Sequence, residues 1–155
     1  MNEDQDRFHT RKHPRMDHYN YATPNYYFIT ICTKNKECIF GTRYQNNVYG
    51  DIAEKGLLEI PKHFEKVRLD KYIVMPNHIH AIVVLENGAK ELPTIIGQYK
   101  AYVSKKIHTV DPIKEVWQRS FHDHVIRNQH AYERIWNYID GNRQKWQEDC
   151  YFAEE

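Results

Sequence analysis

Apolar and polar positions along the chain change period several times, and each change marks an expected element. Residues 1 to about 20 are polar, charged and without period, as in a flexible arm. Tyr26 to Thr33 is aromatic and β-branched, the composition of a strand, with Tyr26, Phe28, Thr30 and Cys32 on one face and Tyr27, Ile29 and Ile31 on the other. Asp51 to about Lys66 turns helical through Ile52, Leu57, Leu58 and Phe64, and Pro61 is expected to kink or split that helix. Val67 to Met75 reads as a strand, Pro76-Asn77 as a tight connection, and His78 to Leu85 as the returning partner of a hairpin.

Pro93-Thr94 opens a helix with Ile96, Tyr99, Val103 and Ile107 on one stripe, and Asp111-Pro112 closes it. Val116–Gln118 and Phe121–Ile126 read as extended. Asn128 is placed to cap a helix from Gln129 to about Asp140, whose core face is Tyr132, Ile135, Trp136 and Ile139. The order strand, helix, two strands, helix, strand, helix predicts an α+β fold: an antiparallel sheet of four to five strands with helices packed against it. Residues 1–155 form one expected domain, with about 147–155 as a polar tail.

Composition narrows the class. No run is long and apolar enough to span a membrane, and the N-terminus lacks a charged-then-apolar signal pattern. Three cysteines without a Cys-x-x-Cys pair argue against a disulfide framework and a cysteine zinc site, and they suit a reducing cytoplasm. A net charge of +1 does not announce a nucleic-acid binder, but its distribution is uneven. Arg11, Lys12 and Arg15 cluster in the arm, and Lys100, Lys105 and Lys106 lie in a stretch without an acid. Twelve tyrosines and three tryptophans supply flat faces. These features suit a single-stranded nucleic acid surface. They equally suit solvated charge over an aromatic-rich core.

The candidate chemistry centres on His78 and His80. Side chains on a strand alternate, so both point to one face while Ile79, Ala81, Val83 and Leu85 point to the other. Polar rings on an apolar strand need partners, and one divalent cation would satisfy both; a pair of hydrogen-bonded structural histidines is the alternative. Two ligands are too few for a closed structural site, so an open site completed by oxygen donors, with Mg²⁺ or Mn²⁺, is the expected form. Imidazole ligates when neutral, so activity is expected to fall below about pH 6.

On the last helix Tyr138 lies at the edge of the core face, with Arg134 one turn before and Asn142 one turn after. That places it either as a catalytic phenol or as a residue sealing the core margin. His122 and His124 form a second His-x-His, open to a four-histidine metal site of hydrolase or oxygenase type, or to a structural role.

Four stretches, Tyr26–Gly41, Tyr72–Val83, Pro93–Ile96 and Trp117–Trp146, together resemble the single-tyrosine HUH transposases of the insertion-sequence-200-like group, most closely the REP-associated tyrosine transposases. The specific signal is the His-hydrophobic-His after Met75-Pro76-Asn77, with Trp117-Gln118 and His124-x-Ile126-Arg127-Asn128 downstream. The resemblance implies an HUH nuclease or RRM-like sandwich in which His78, His80 and Asn142 hold Mg²⁺ or Mn²⁺. It implies that Tyr138 attacks single-stranded DNA beside a hairpin, forming a 5′-phosphotyrosine, in a monomer or homodimer. Arg11, Lys12, Arg15, Lys100, Lys105, Lys106 and Arg134 are the expected DNA contacts. A hairpin-binding protein that has lost catalysis is the alternative. Where the family usually reads Asn-Pro, this chain reads Gly141-Asn142-Arg143, so Gly141 is expected to end the helix early and leaves the metal role of Asn142 open.

Overall fold

A computed structural model describes residues 25–155. Arg11, Lys12, Arg15 and the expected arm lie outside the described residues. The elements follow the expected order: β1 (Asn25–Cys32), α1 (Val48–His63), β2 (Val67–Val74), β3 (His78–Leu85), α2 (Leu92–His108), β4 (His122–Ile126) and α3 (Gln129–Asp140). Among the described residues the strands form one four-stranded antiparallel sheet in the order β2-β3-β1-β4. Val116–Gln118 does not become a strand; it makes a single bridge, Trp117 to Thr33, at the end of β1.

Strand parity sorts the sheet into two cores. One face presents Tyr27, Ile29, Ile31, Ile79, Ala81, Val83 and Leu85 to α1 and α2. The other presents Phe28, Ile82 and Ile126 to Ile135 and Ile139 of α3. Ile96, Tyr99, Val103 and Ile107 form the buried stripe of α2, as their spacing predicts.

Helix α1 departs from expectation at both ends. Asn47 accepts a hydrogen bond from the Gly50 amide (3.0 Å) and so starts the helix at Val48 rather than Asp51. Pro61 sits in its last turn without splitting it. The helix stops two residues later, at His63, so the missing Pro61 donor and its ring disturb only a turn that is already ending. The buried face also differs: Gly56, Leu57 and Ile60 are inside, and Leu58 is 46% exposed. Gly56 is needed for the close approach of α2. A Cβ there would lie 2.9 Å from the Tyr99 ring, whose hydroxyl is anchored on the Ala53 carbonyl at 2.8 Å.

In β2 the pairing with β3 slips between Leu69 and Lys71, making Asp70 the extra residue of a β-bulge. The bulge matters because Asp70 and Lys71 both reach α3.

Two adjacent leucines therefore differ in weight. Leu57→Ala removes a fully buried side chain and is expected to cost about 2–5 kcal/mol. Leu58→Ala is expected to cost less than about 1 kcal/mol. Urea unfolding of both variants checks this, and equal losses would mean that α1 buries a different face.

Candidate active site

His78 and His80 lie side by side on the α3 face of β3, fully buried, with ring centroids 4.6 Å apart. Each ring is held at Nδ1. His80 Nδ1 is 2.9 Å from Oγ1 of Thr30, its cross-strand neighbour on β1, and its ring stacks on Phe28. His78 Nδ1 is 2.8 Å from the Asn77 side-chain oxygen. The Asn77 amide nitrogen donates to the Lys36 and Tyr151 carbonyls (3.1 and 2.8 Å). That fixes which end of the amide faces the ring, so His78 Nδ1 is the donor and Nε2 carries the lone pair. Nε2 is buried and has no hydrogen-bond partner.

Helix α3 is laid over this pair by its contacts with the bulged edge strand. Tyr132 donates its hydroxyl hydrogen to the Asp70 carboxylate. Lys71 pairs with Asp140 at 2.8 Å and lies 3.8 Å above the Trp136 ring centroid. Seated this way, the Tyr138 hydroxyl comes within 3.4 Å of His80 Nε2 in the same chain, with the two ring centroids 5.2 Å apart. Burial, and then the nearby Asp149, Cys150 and Tyr151, push the Tyr138 phenol well above its ordinary range.

The helix ends at Asp140, as Gly141 predicts, yet Asn142 is not carried away. The Arg143 guanidinium donates to the Arg43 and Val74 carbonyls (2.7 and 2.9 Å) and holds the following turn against the end of β2. Asn142 is turned inward and buried. Its amide donates to Asp149 Oδ2 at 2.7 Å, and its own oxygen is buried without a hydrogen-bond partner. It lies close enough to His78 to favour the protonated imidazole.

The segment read as a polar tail is not one. Trp146 and Tyr151 are buried against the sheet beyond α3, with Tyr151 4.7 Å and Trp146 6.0 Å from the His78 ring. Trp146 and Tyr151 carry the packing, with Phe152 against the Trp146 ring, too few apolar positions to give a period, and between them Gln147 and Glu148 face water while Asp149 is turned inward. The turn brings Asp149 Oδ2 to 4.0 Å from His78 Nε2, while Asp149 Oδ1 accepts from the Tyr151 amide at 2.8 Å. His78, His80 and Asp149 offer ligand atoms within 4.8 Å of one another, the group of this kind found among the described residues. Two buried atoms without hydrogen-bond partners, His78 Nε2 and Asn142 Oδ1, together with a carboxylate oxygen, form a donor set that fits a hard or borderline divalent cation.

The other predicted residues scatter. His122 and His124 do share the face of the His pair, but β1 separates them from β3, with Thr30 between His122 and His80. A four-histidine site is not assembled. Arg134 is half-buried on α3. Lys100, Lys105 and Lys106 belong to α2, on the opposite side of the sheet from the His pair. Lys100 is a strut, since its amine donates to the Gln118 and Ser120 carbonyls at 2.8 Å each. Lys105 and Lys106 are exposed. Asn77, Thr30 and Asp149 were not singled out from sequence. Strand parity does place Thr30 beside the histidines, and the aromatic pair Trp146 and Tyr151 was the available hint that the last residues are packed. No helix among the described residues is long and apolar enough to cross a membrane.

Residues 22–142 match the family described as "Transposase IS200 like". An uncharacterized protein of Haemophilus influenzae is 34% identical over 94% of this chain and 95% of its own length. The REP-associated tyrosine transposase of Escherichia coli is 24% identical over 73% of this chain and 62% of its own. A solved REP-associated tyrosine transposase bound to a REP hairpin superposes with a TM-score of 0.65 at 20% identity, over 84% of this chain and 73% of that one.

Burial moves His78 from the ordinary imidazole range down to about 4, against the opposing pull of Asp149 and Asn142. The native state therefore holds fewer protons than the unfolded chain between about pH 6.5 and 4. The stability from neutral His78 is complete above that window and lost as pH falls through it. From pH 7 to 5 the loss is expected to be about 2 kcal/mol. Urea unfolding in EDTA at both pH values checks this. His78→Gln should lose distinctly less than the native chain over the same interval, and an identical slope would show that His78 titrates alike in both states.

Proposed function

The chain belongs to the IS200-like transposase family, and from that premise we propose that it cuts and rejoins single-stranded DNA beside hairpin elements through a 5′-phosphotyrosine at Tyr138. The carrying observation is the Tyr138 hydroxyl 3.4 Å from His80 Nε2, against the His pair and within one chain. In this reading His78 Nε2, His80 Nε2 and Asn142 Oδ1 hold Mg²⁺ or Mn²⁺. Bound there, the cation supplies positive charge beside the scissile phosphate and stabilises the charge that develops on its oxygens.

The side chains do the remaining work. Asn77 and Thr30 fix the rings so that Nε2 of His80 faces Tyr138 and Nε2 of His78 faces Asp149. Phe28, Tyr151 and Trp146 keep water from the rings. A phenol with its ordinary pKa near 10 is about one part in a thousand ionised at pH 7, a handicap of about 4 kcal/mol, and burial of Tyr138 enlarges it. Positioning must offset part of this, and the Lys71–Asp140–Trp136 and Tyr132–Asp70 contacts supply it by clamping α3. Attack by the Tyr138 oxygen forms the bond to phosphorus as the bond to the 3′ oxygen breaks, and the phenolic proton ends on the released 3′-OH. A second 3′-OH can reverse the step, because the phosphotyrosine keeps the bond and phenolate leaves readily. Rejoining then needs no external energy source.

Only a single strand leaves its phosphate free to enter a site this enclosed. The fold shared with a transposase bound to a REP hairpin supports hairpin DNA as the substrate class. Arg11, Lys12, Arg15, Lys105, Lys106 and Arg134 remain candidate phosphate contacts, and Lys100 ranks below them because its amine is engaged. The inward, buried Asn142 weighs against a protein that binds hairpins without cutting them.

The test uses hairpin oligonucleotides with randomised single-stranded flanks, incubated with the protein and Mn²⁺ and run on a denaturing gel. A covalent protein–DNA species is expected, absent with EDTA, with His78→Ala and with Tyr138→Phe, while hairpin binding by Tyr138→Phe persists and weakens steeply with salt. An adduct that survives in Tyr138→Phe sinks the assignment of the nucleophile. Binding by the native chain with no adduct at all leaves the binding-only reading.

A further inference from the structure

We infer that Asp149 is a ligand of the same cation, so that the metal seat is completed by a carboxylate from the segment that follows the tyrosine helix. The inference rests on the reading of His78 and His80 as a metal pair and adds to it a donor seven residues beyond Asn142.

Distance is the first argument. Ligand atoms about 2.1 Å from a six-coordinate ion stand about 3.0 Å apart when adjacent and about 4.2 Å apart when opposite. The 4.0 Å between Asp149 Oδ2 and His78 Nε2 falls inside that interval, too long for a hydrogen bond and right for two donors sharing an ion. His78 Nε2 is the unpartnered, fully buried atom on the other side of the gap.

Lone pairs are the second. An ionised carboxylate accepts at about four sites. Oδ1 takes the Tyr151 amide, and Oδ2 takes the Asn142 side-chain amide. Those two bonds set the plane of the carboxylate and turn Oδ2 toward His78 Nε2 at 4.0 Å, with the Tyr138 hydroxyl and the Cys150 thiol also beside the carboxylate. Asn142 thereby has two tasks: its nitrogen orients Asp149 and its oxygen faces the seat.

Charge is the third. Both the Asp149 and His78 side chains are fully buried, and among the described residues the ion-pair partner of Asp149 is that imidazole. An anion withdrawn from water beside a ring that must stay neutral to ligate is costly without a cation, and a divalent ion supplies one. A carboxylate also converts a set of two neutral imidazoles and a neutral amide into one with a formal charge, which raises affinity for Mg²⁺ and Mn²⁺.

The measurement is Mn²⁺ binding to the full, metal-stripped chain, followed by titration calorimetry and by loss of the free-Mn²⁺ electron paramagnetic resonance signal. Thermal unfolding with and without Mn²⁺ is run in parallel. Native protein should bind and be stabilised. Asp149→Asn should bind at least about tenfold more weakly and lose most of the Mn²⁺-dependent rise in Tm, measured against its own metal-free Tm. Asp149→Glu, which keeps the carboxylate, should recover part of the affinity. A purely structural Asp149 would instead leave the affinity of the folded fraction unchanged. Unchanged Mn²⁺ affinity in Asp149→Asn overturns the inference, also if DNA cleavage is lost, since Asp149 would then act on the tyrosine and not on the ion. Absence of Mn²⁺ binding by the native chain would defeat the His-pair reading itself, a different result from native binding that survives the substitution.

Discussion

Antiparallel pairing of β1 with β3 decides where the His pair stands and which face of the sheet it looks onto. The register sets Thr30 opposite His80 and Cys32 opposite His78, so one face of two central strands carries both imidazoles and the hydroxyl that holds one of them. The same parity drives Ile79, Ala81, Val83, Tyr27, Ile29 and Ile31 into the opposite core. That core, closed by α1 and α2, locks the register, because a slip by one residue would exchange the two faces completely. The packing that stabilises the domain and the geometry that presents the His pair are thus one arrangement seen from its two sides.

Over that face, among the described residues, the protein places the helix α3, whose seat combines an apolar patch with polar anchors. Ile135 and Ile139 supply the buried apolar contact, but the angle of α3 is fixed at its ends by Tyr132 on Asp70 and by Asp140 with Trp136 on Lys71. Both anchors come from the β2 bulge. An unbroken edge strand would send Asp70 and Lys71 to opposite faces, and the extra residue lets both serve α3. Tyr138 is therefore aimed by irregular backbone at a sheet edge, some distance in sequence from any group it touches.

Much of this was legible from residue pattern. The His pair sharing a face follows from a two-residue period, α3 from its apolar stripe, and its start from Asn128, whose side chain does accept the Ala131 amide at 2.8 Å. Other parts were not legible, for physical reasons that differ. Asp149 is brought to His78 by a turn whose main apolar marks are Trp146, Tyr151 and Phe152, and no period exists over so few residues. Asn77 reads as a turn residue because its role depends on two backbone carbonyls distant in sequence. Lys100 reads as free charge because sequence cannot show that Gln118 and Ser120 turn their carbonyls toward it. Gly141 leaves the direction of Asn142 open in the sequence, and the guanidinium of Arg143 holds the turn inward through contacts more than sixty residues away along the chain.

Those last contacts share a property. Asn77 donates to the main-chain oxygens of Lys36 and Tyr151, and Arg143 to those of Arg43 and Val74. Acceptors of this kind exist whatever side chain the position carries, so these hydrogen bonds survive changes of residue at the exposed Lys36 and the half-buried Arg43, while Val74 and Tyr151 are held by their own burial. What the frame depends on is the local path of the turns that carry these carbonyls, since a longer exposed loop elsewhere leaves them in place. Relatives that share this machinery should keep the turns that carry these four carbonyls at constant length and place their insertions in the loops between elements.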